Sequence, residues 1–230
     1  MLNERMPNYR GAFSRPNALK AAIAIAKLGG VANFSQIQKV SGIKDSTLVH
    51  NLNILIKFNI IEKEVKGTYR LKYKTPLCYL FSEKSIEAAY FGLLGKRENR
   101  KRTETETALE LLKTEGIKPK LVYVLTSIEA LHEWGDLKLP YQWILCYEEE
   151  IIDIDIVKNK VQKQLEDLLK DYIVIIDCTS ATKPATIAYY ELAQTYQTPL
   201  IYIYEEKRKL KWLNSKQTIQ ETLIPKLLNS

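Results

Sequence analysis

The stretch DCTSATKPATIAYYELAQTYQTPLIYIYEE (177–206) carries the pattern that decides the fold. It continues the β-branched run YIVIIDC (172–178), so an apolar strand gives way to a short polar loop, Thr179-Ser180-Ala181-Thr182-Lys183. Pro184 suits the first turn of a helix, and Ile187, Tyr190 and Ala193 or Leu192 recur at helical spacing through 184–196, which predicts that they face inward. A second apolar run, LIYIY (200–204), follows at once. Strand, helix and strand in so short a span form the repeating unit of a parallel sheet, whose neighbouring strands need a crossover.

The same alternation extends towards the N-terminus. Runs at 86–94 (IEAAYFGLL), 121–126 (LVYVLT) and 141–147 (YQWILCY) read as strands. Between them, 103–115 places Ala108, Leu111 and Leu112 on one helical face, and 156–170 does so with Val157, Val161, Leu165, Leu168 and Leu169. Nearly continuous apolar strands predict a parallel, doubly wound α/β sheet covered on both faces. Such sheets bind ligands at the carboxyl ends of their strands, near helix N-termini. The sequence contains neither GxGxxG nor GxxxxGK[ST], which removes the ordinary dinucleotide and nucleoside-triphosphate fingerprints.

Two strand-end segments hold the candidate chemistry. After the strand at 172–178, the hydroxyls of Thr179, Ser180 and Thr182 and the amine of Lys183 gather at a helix start, an arrangement suited to phosphate. After the first strand, Gly92-Leu93-Leu94-Gly95-Lys96-Arg97 leads into a basic run ending at Arg102; its glycines permit close backbone approach and its charges suit several phosphates. His132, Trp134 and the acidic run Glu148-Glu149-Glu150 read as loop and surface residues.

The first third differs in composition. Residues 1–80 carry 13 Lys or Arg against 4 acids, a balance of +9, whereas residues 81–230 carry 21 against 23, a balance of −2. This asymmetry predicts two domains, 1–80 and 81–230, with the first facing a polyanion. Residues 17–28 follow Pro16 and stop at Gly29-Gly30, a helix with start and stop signals. Asn33 caps a second short helix ending at Ser41-Gly42, and a third begins near Ser46 with Leu48, Leu52, Leu55 and Ile56 on one face. The runs IIEKEV (60–65) and TYRLKY (68–73), joined through Lys66-Gly67, read as a hairpin.

Three short helices and a basic hairpin over residues 16–74 resemble a winged helix-turn-helix domain. The resemblance implies that the third helix enters the DNA major groove and the wing touches the backbone. Lys44, Ser46, Thr47, His50 and Asn51 would then approach bases or phosphates, and Lys63, Lys66, Tyr69, Arg70 and Lys72 would line the wing.

Residues 177–206 resemble the signature of the CRISPR-associated Rossmann-fold (CARF) family: Asp177, Thr179, Ser180, Ala181 and Lys183 occupy its Asp-x-Thr-small-small-x-Lys pattern, followed by a helix and an alternating tyrosine strand. GLLGKR (92–97) and LVYVLTS (121–127) match more loosely. The resemblance implies a Rossmann-like domain, a cytoplasmic role in antiviral defence, and a homodimer binding cyclic oligoadenylate, a second messenger, across its two-fold axis. It implies ligand contacts at Lys96, Arg97, Thr126, Ser127, Thr179, Ser180 and Lys183. Ser180-Ala181 departs from the commoner Gly-Gly, and the winged helix precedes the Rossmann domain, whereas the well-known CARF regulators carry it at the C-terminus.

The leading expectation is a cyclic oligoadenylate-sensing, DNA-binding transcriptional regulator, with cyclic tetra-adenylate as the expected ring. The alternative is a metal-independent ring nuclease in which Lys183 and Ser127 or Thr126 align the ribose 2′-hydroxyl for attack on the messenger. A third reading is an adaptor whose winged helix binds protein. A HEPN-type ribonuclease is excluded, because Asp45 and Ser127 stand where its Arg-x4-His motif needs arginine. No cofactor or metal site is expected: Cys78, Cys146 and Cys178 are scattered, with no CxxC pair, as suits a reducing compartment. No apolar run is long enough to span a membrane, and charges occupy the place of an export signal's apolar segment. The stretch 215–229, with Ile219, Leu223, Ile224, Leu227 and Leu228, predicts an amphipathic helix packed on the dimer or on the neighbouring domain.

Overall fold

The computed structural model describes residues 6–135 and 140–224, except for the side chain of Lys66. The chain divides into two compact units, one running to Ile86 and taking back the segment from Lys216, the other comprising Glu87–Ser215.

The first unit opens with α1 (Tyr9–Phe13) and α2 (Pro16–Lys27). Pro16 starts α2 as expected, and α2 buries Ala18, Leu19, Ala21, Ala22 and Ala24 through Ala26; such small side chains let neighbours pack closely around it. Strand β1 (Val31–Asn33) ends at Asn33, which caps α3 (Phe34–Ser41) through a reciprocal capping box with Gln36. Gly42 closes α3 in the left-handed conformation, at φ 68°, where a side chain would be strained. Helix α4 (Asp45–Lys57) follows, then β2 (Ile61–Lys63), a 3₁₀ turn at Val65–Gly67, β3 (Thr68–Leu71) and α5 (Leu77–Phe81). The expected hairpin is present, and β1 joins it to make an antiparallel sheet of order β1-β3-β2. Three residues, Val-Ala-Asn, are too few to show strand periodicity in sequence.

The second unit consists of β4 (Ala88–Leu94), α6 (Glu104–Thr114), β5 (Pro119–Ser127), α7 (Ile128–Glu133), β6 (Gln142–Cys146), α8 (Ile154–Asp171), β7 (Ile173–Asp177), α9 (Lys183–Tyr196), β8 (Leu200–Tyr204) and β9 (Lys209–Asn214). Its sheet runs β6-β5-β4-β7-β8-β9, parallel except for the last strand. Counted within the unit, the order is 3-2-1-4-5-6, which reverses direction between β4 and β7. Loops leaving those two strands diverge, and a crevice opens between them.

Alternation along β4 divides the two faces. Tyr90 and Leu94 pack with Ala108 and Leu112 of α6, while Phe91 stacks on Tyr189 of α9 with ring centroids 5.4 Å apart. The inward face of α9 differs from the expectation. Ile187 and Tyr190 are exposed, and the buried stripe is Ala185, Ala188, Tyr189, Leu192, Ala193 and Tyr196. The tyrosine pair at 189–190 allowed either phase, and Phe91 supplies the partner that selects Tyr189. Strand β9 was not legible, because Lys209 and Lys211 alternate with Leu210 and Trp212 in the manner of a protected sheet edge. Beyond it, α10 (Lys216–Leu223) is the described part of the expected C-terminal helix; it buries Ile219 and Leu223 and packs against α1 and α5 of the first unit, while Leu227 and Leu228 lie outside the described residues. No helix among the described residues is long and apolar enough to cross a membrane.

Candidate functional site

A cavity of 410 Å³ lies at the carboxyl end of the sheet, at the switch between β4 and β7. Its walls are Leu94 and Gly95 after β4, Ser127 and Ala130 after β5, Ile151 and Ile152 before α8, and Thr179 through Thr182 before α9. The charged groups around it are Lys96, Glu98, Arg100, Glu104 and Glu148.

A buried hydrogen-bonded latch holds the β7 wall in place. The Tyr90 hydroxyl donates to Asp177 Oδ2 at 2.6 Å, while Asp177 Oδ1 accepts from the Thr179 backbone N–H at 2.8 Å and from the Thr179 hydroxyl. The Thr179 hydroxyl oxygen in turn accepts the Ile203 N–H at 2.8 Å. Three neighbouring strands, β4, β7 and β8, are therefore tied by one carboxylate beneath the cavity. Gly92 belongs to this latch and not to the ligand surface: a Cβ there would stand 2.5 Å from the Tyr90 ring and hydroxyl.

Burial raises Asp177 from the ordinary carboxylate range to about 6, against the opposing effect of its hydrogen bonds with Thr179 and Tyr90. Between its unfolded and folded values, only the folded state keeps this proton. Asp177 therefore contributes stability that is fully present below about pH 4 and lost as pH rises through about 6, an effect of about 3 kcal/mol at most. Urea titrations of wild type and Asp177→Asn from pH 4 to 7.5 check this. The slope assigned to Asp177 should vanish in the variant.

The β4 and β7 loops are joined directly. The Gly95 N–H donates to Ser180 Oγ at 2.9 Å, and the Gly95 carbonyl accepts the Trp134 indole N–H at 2.9 Å. A Cβ at Gly95 would lie 3.1 Å from the Ala181 backbone nitrogen, so the absence of a side chain permits this contact. Ala181 occupies the left-handed region at φ 66°. Ala181 thus adopts, with a side chain, a backbone shape that favours glycine.

Of the residues expected to contact ligand, Gly95, Lys96, Ser127, Thr179, Ser180 and Thr182 line the cavity. Four do not. Gly92 is buried in the strand. Thr126 spends its hydroxyl on the Leu94 carbonyl at 3.0 Å. Arg97 turns towards α7, donating to the Glu133 carbonyl at 3.3 Å and the Arg100 carbonyl at 2.9 Å while its guanidinium lies over Trp134 at 5.3 Å. Lys183 begins α9 and is exposed beside the cavity, outside its wall. Trp134 is no surface residue: it is 1% exposed, because its ring fills the core below the β4 loop and its N–H has Gly95 as acceptor.

The acidic residues of the site were missed. Lys96 pairs with Glu148, and Arg100 pairs with Glu104 and approaches Glu205 at 3.7 Å. The basic run read as free positive charge is thus partly neutralised by carboxylates from α6 and from the turns after β6 and β8. Only Glu104 was near enough in sequence, four residues after Arg100, to signal a pair. Burial pushes the Cys78 and Cys178 thiols up to about 12 and Cys146 to about 11, and all three are free. No group of metal-ligating side chains occurs among the described residues.

In the first unit, Lys44 is exposed at the N-cap of α4, Ser46 and His50 are exposed on the helix and Thr47 is half-buried. Asn51 is 4% exposed and its amide donates to the Thr47 carbonyl at 2.7 Å, so it does not face outward. Positions 48, 51, 52 and 55 form the buried stripe of the helix; the outward one carries Ser46, Val49, His50, Asn53 and Lys57. In the hairpin, Tyr69 and Lys72 are buried, Lys63 is exposed and Arg70 pairs with Glu64 at 2.6 Å. The side chain of Lys66 lies outside the described structure.

No known family matches the sequence, and no curated protein is similar to it. Among solved structures, Can2 from Sulfobacillus thermosulfidooxidans in complex with cyclic tetra-adenylate overlaps with a TM-score of 0.41 at 12% identity, over 56% of this chain and 36% of its own. Csm6 from Enterococcus italicus, bound to cyclic hexa-2′-fluoro-hexa-dAMP, gives 0.41 at 14% identity over 60% and 38%. A Vibrio cholerae protein gives 0.42 at 11% identity over 56% and 34%. The chain spans little more than a third of the length of these proteins. With overlaps of this size, the functional reading rests on the chain's own residues.

Proposed function

We propose that the second unit is a CARF-type sensor of cyclic oligoadenylate and the first a winged helix-turn-helix, together a ligand-responsive DNA-binding regulator. The observation that carries the sensor reading is that Thr179–Thr182, the middle of the Asp177–Lys183 signature, form a wall of the cavity at the topological switch point. Polar groups from Thr179 to Thr182 face a space at the N-terminus of a 14-residue helix, with the Lys183 cation beside it. A volume of 410 Å³ is near the lower end for small-molecule pockets, which run about 300–1,000 Å³. In this reading a homodimer shares one ring between two such cavities. Ligand would act by preferring one of two arrangements of that dimer.

Anion binding has to compete with Glu148 for Lys96. Glu148→Gln is therefore expected to tighten cyclic tetra-adenylate by about two- to fivefold, the scale of one exposed ion pair. Calorimetric titration reads this, and a weaker complex would show that Glu148 assists binding. Of the residues that a ring nuclease would use, Ser127 and Thr126 are otherwise engaged: Ser127 Oγ accepts the Ala130 N–H at 3.0 Å, and the Thr126 hydroxyl donates to the Leu94 carbonyl at 3.0 Å.

The DNA reading is supported by the +9 balance, the order α2-β1-α3-α4-β2-β3 and the outward Lys44, Ser46, His50, Asn53 and Lys57. Arg70→Ala should weaken DNA binding about equally across sequences and reduce the salt slope by about one. Asn53→Ala should change base preference, whereas Asn51→Ala should lower stability without changing it. Binding isotherms on several duplexes at four salt concentrations would distinguish these effects, and failure to bind any duplex at low salt would remove the regulator reading.

A further inference from the structure

The hairpin of β8 and β9 has one buried face and one open face. Ile201, Ile203, Leu210 and Trp212 turn to the core that holds Ala108 and Leu112 of α6. Tyr202 stands opposite Lys211 and Tyr204 opposite Lys209, so these four share the other face. Tyr202 is half-buried, Tyr204 is 44% exposed and both lysines are exposed. The two rings meet edge to face, with centroids 5.1 Å apart at 75°, and form one aromatic surface. A groove of 450 Å³ opens beside it, lined by Tyr204, Lys207, Lys209, Leu210 and Lys211; it shares no residue with the cavity at the β4–β7 switch. Arg208 is drawn away to Glu110 at 2.7 Å, whereas the side chains of Lys207, Lys209 and Lys211 have no ion pair among the described residues. Of the acids in the turn, Glu205 approaches Arg100 at 3.7 Å and Glu206 is exposed, which leaves three lysine charges against one carboxylate.

Lysines on an edge strand guard it against stray pairing, but that accounts for β9 alone and not for tyrosines on the open face of the strand inside it. On an extended strand the Cα atoms of Lys209 and Lys211 stand about 6.8 Å apart, a separation near that of successive phosphates in an extended polynucleotide. Aromatic rings bordered by unpaired cations suit a chain that offers bare bases and phosphates together. We infer that this face binds single-stranded nucleic acid, with Tyr204 stacking on a base and Lys207, Lys209 and Lys211 held to phosphates. A duplex keeps its base faces inside its own stack, and an acidic peptide satisfies the lysines but leaves the ring unused. The surface is additional to the DNA-binding face proposed for the first unit, and it depends neither on that face nor on the messenger cavity.

The test is fluorescence anisotropy of short, unstructured, labelled RNA and DNA strands on the full chain, with poly-glutamate and cyclic tetra-adenylate as competitors. Wild type, Tyr204→Ala, Tyr204→Phe and the combined Lys207→Ala, Lys209→Ala, Lys211→Ala variant are each first shown to be folded by thermal melting. Tyr204→Ala should weaken strand binding about 5- to 150-fold, the worth of one stacked base, and Tyr204→Phe should retain it. The combined lysine variant should lower the salt slope by about two, at about 0.7 for each phosphate contact on a single strand. Its affinity for duplex DNA should match wild type, because that binding is assigned to the first unit. Strand binding indifferent to Tyr204→Ala or to the lysine variant, or equally well displaced by poly-glutamate, would overturn the surface. Displacement by cyclic tetra-adenylate would overturn it too, by putting the groove inside the messenger's site. If wild type binds no duplex while the single-strand effects persist, the surface stands and the regulator reading fails.

Discussion

Gly92→Ala is expected to destabilise the second unit by about 1–3 kcal/mol, although it adds one methyl group. The new Cβ would stand 2.5 Å from Tyr90 Cε1 and from its hydroxyl oxygen. A flexible side-chain end would move aside at little cost, but Tyr90 is fully buried and its hydroxyl is committed to Asp177 at 2.6 Å. Either the methyl is forced into a packed core, costing about 1–3 kcal/mol, or the ring moves and the hydrogen bond to a charged acceptor is lost, costing about 1.5–3 kcal/mol. Tyr90→Phe removes the hydroxyl that the new methyl meets, so Gly92→Ala should cost less in that background than in wild type, a coupling that a double-mutant cycle measures. Urea unfolding of the four proteins checks the prediction. A loss below about 0.5 kcal/mol would show that the latch is loose.

Lys183→Ala is expected to lower affinity for cyclic tetra-adenylate about 10- to 150-fold while leaving the melting temperature unchanged. Lys183 has no ion pair among the described residues, stands at the first turn of α9 and follows Thr182, which lines the cavity. Lys96, by contrast, already has Glu148 as a partner. The lysine charge adds to the positive end of the helix dipole, and a charge-assisted hydrogen bond to phosphate contributes about 1.5–3 kcal/mol. Its exposed side chain contributes little to the core, so stability and affinity should separate. Competition binding with wild type and variant, alongside melting curves, reads both; equal affinity in two folded proteins would remove Lys183 from the site.

The parallel sheet was legible because its central strands, β4 and β7, are buried on both faces. β4, β5, β7 and β8 read as apolar runs, and Pro16, Asn33 and Gly42 mark helix boundaries through local backbone chemistry that needs no partner. The cavity's position was legible for the same reason, since strand ends and helix starts follow from the same pattern. Long-range pairing was not. Gly92 looked like a close-approach glycine, but what it approaches is Tyr90, two residues earlier on the same strand face. Trp134 looked like a loop residue because its acceptor, the Gly95 carbonyl, lies 39 residues away. Asn51 was assigned outward although it is four residues from Leu55 and three from Leu48; its amide satisfies itself on the helix's own carbonyl at Thr47, which makes the buried position tolerable. The carboxylates that offset the basic loop were invisible for the same reason, since Glu148 and Glu205 are joined to it only by the fold.

Calorimetric titration of cyclic tetra-adenylate into the wild-type protein, repeated with cyclic hexa-adenylate and with linear tetra-adenylate, tests the sensor reading most directly. The account predicts saturable binding of the tetra-adenylate ring with one ring for two chains, tighter than the linear form. Heats of dilution alone with both rings, or one ring bound per chain with no preference over the linear form, would contradict it.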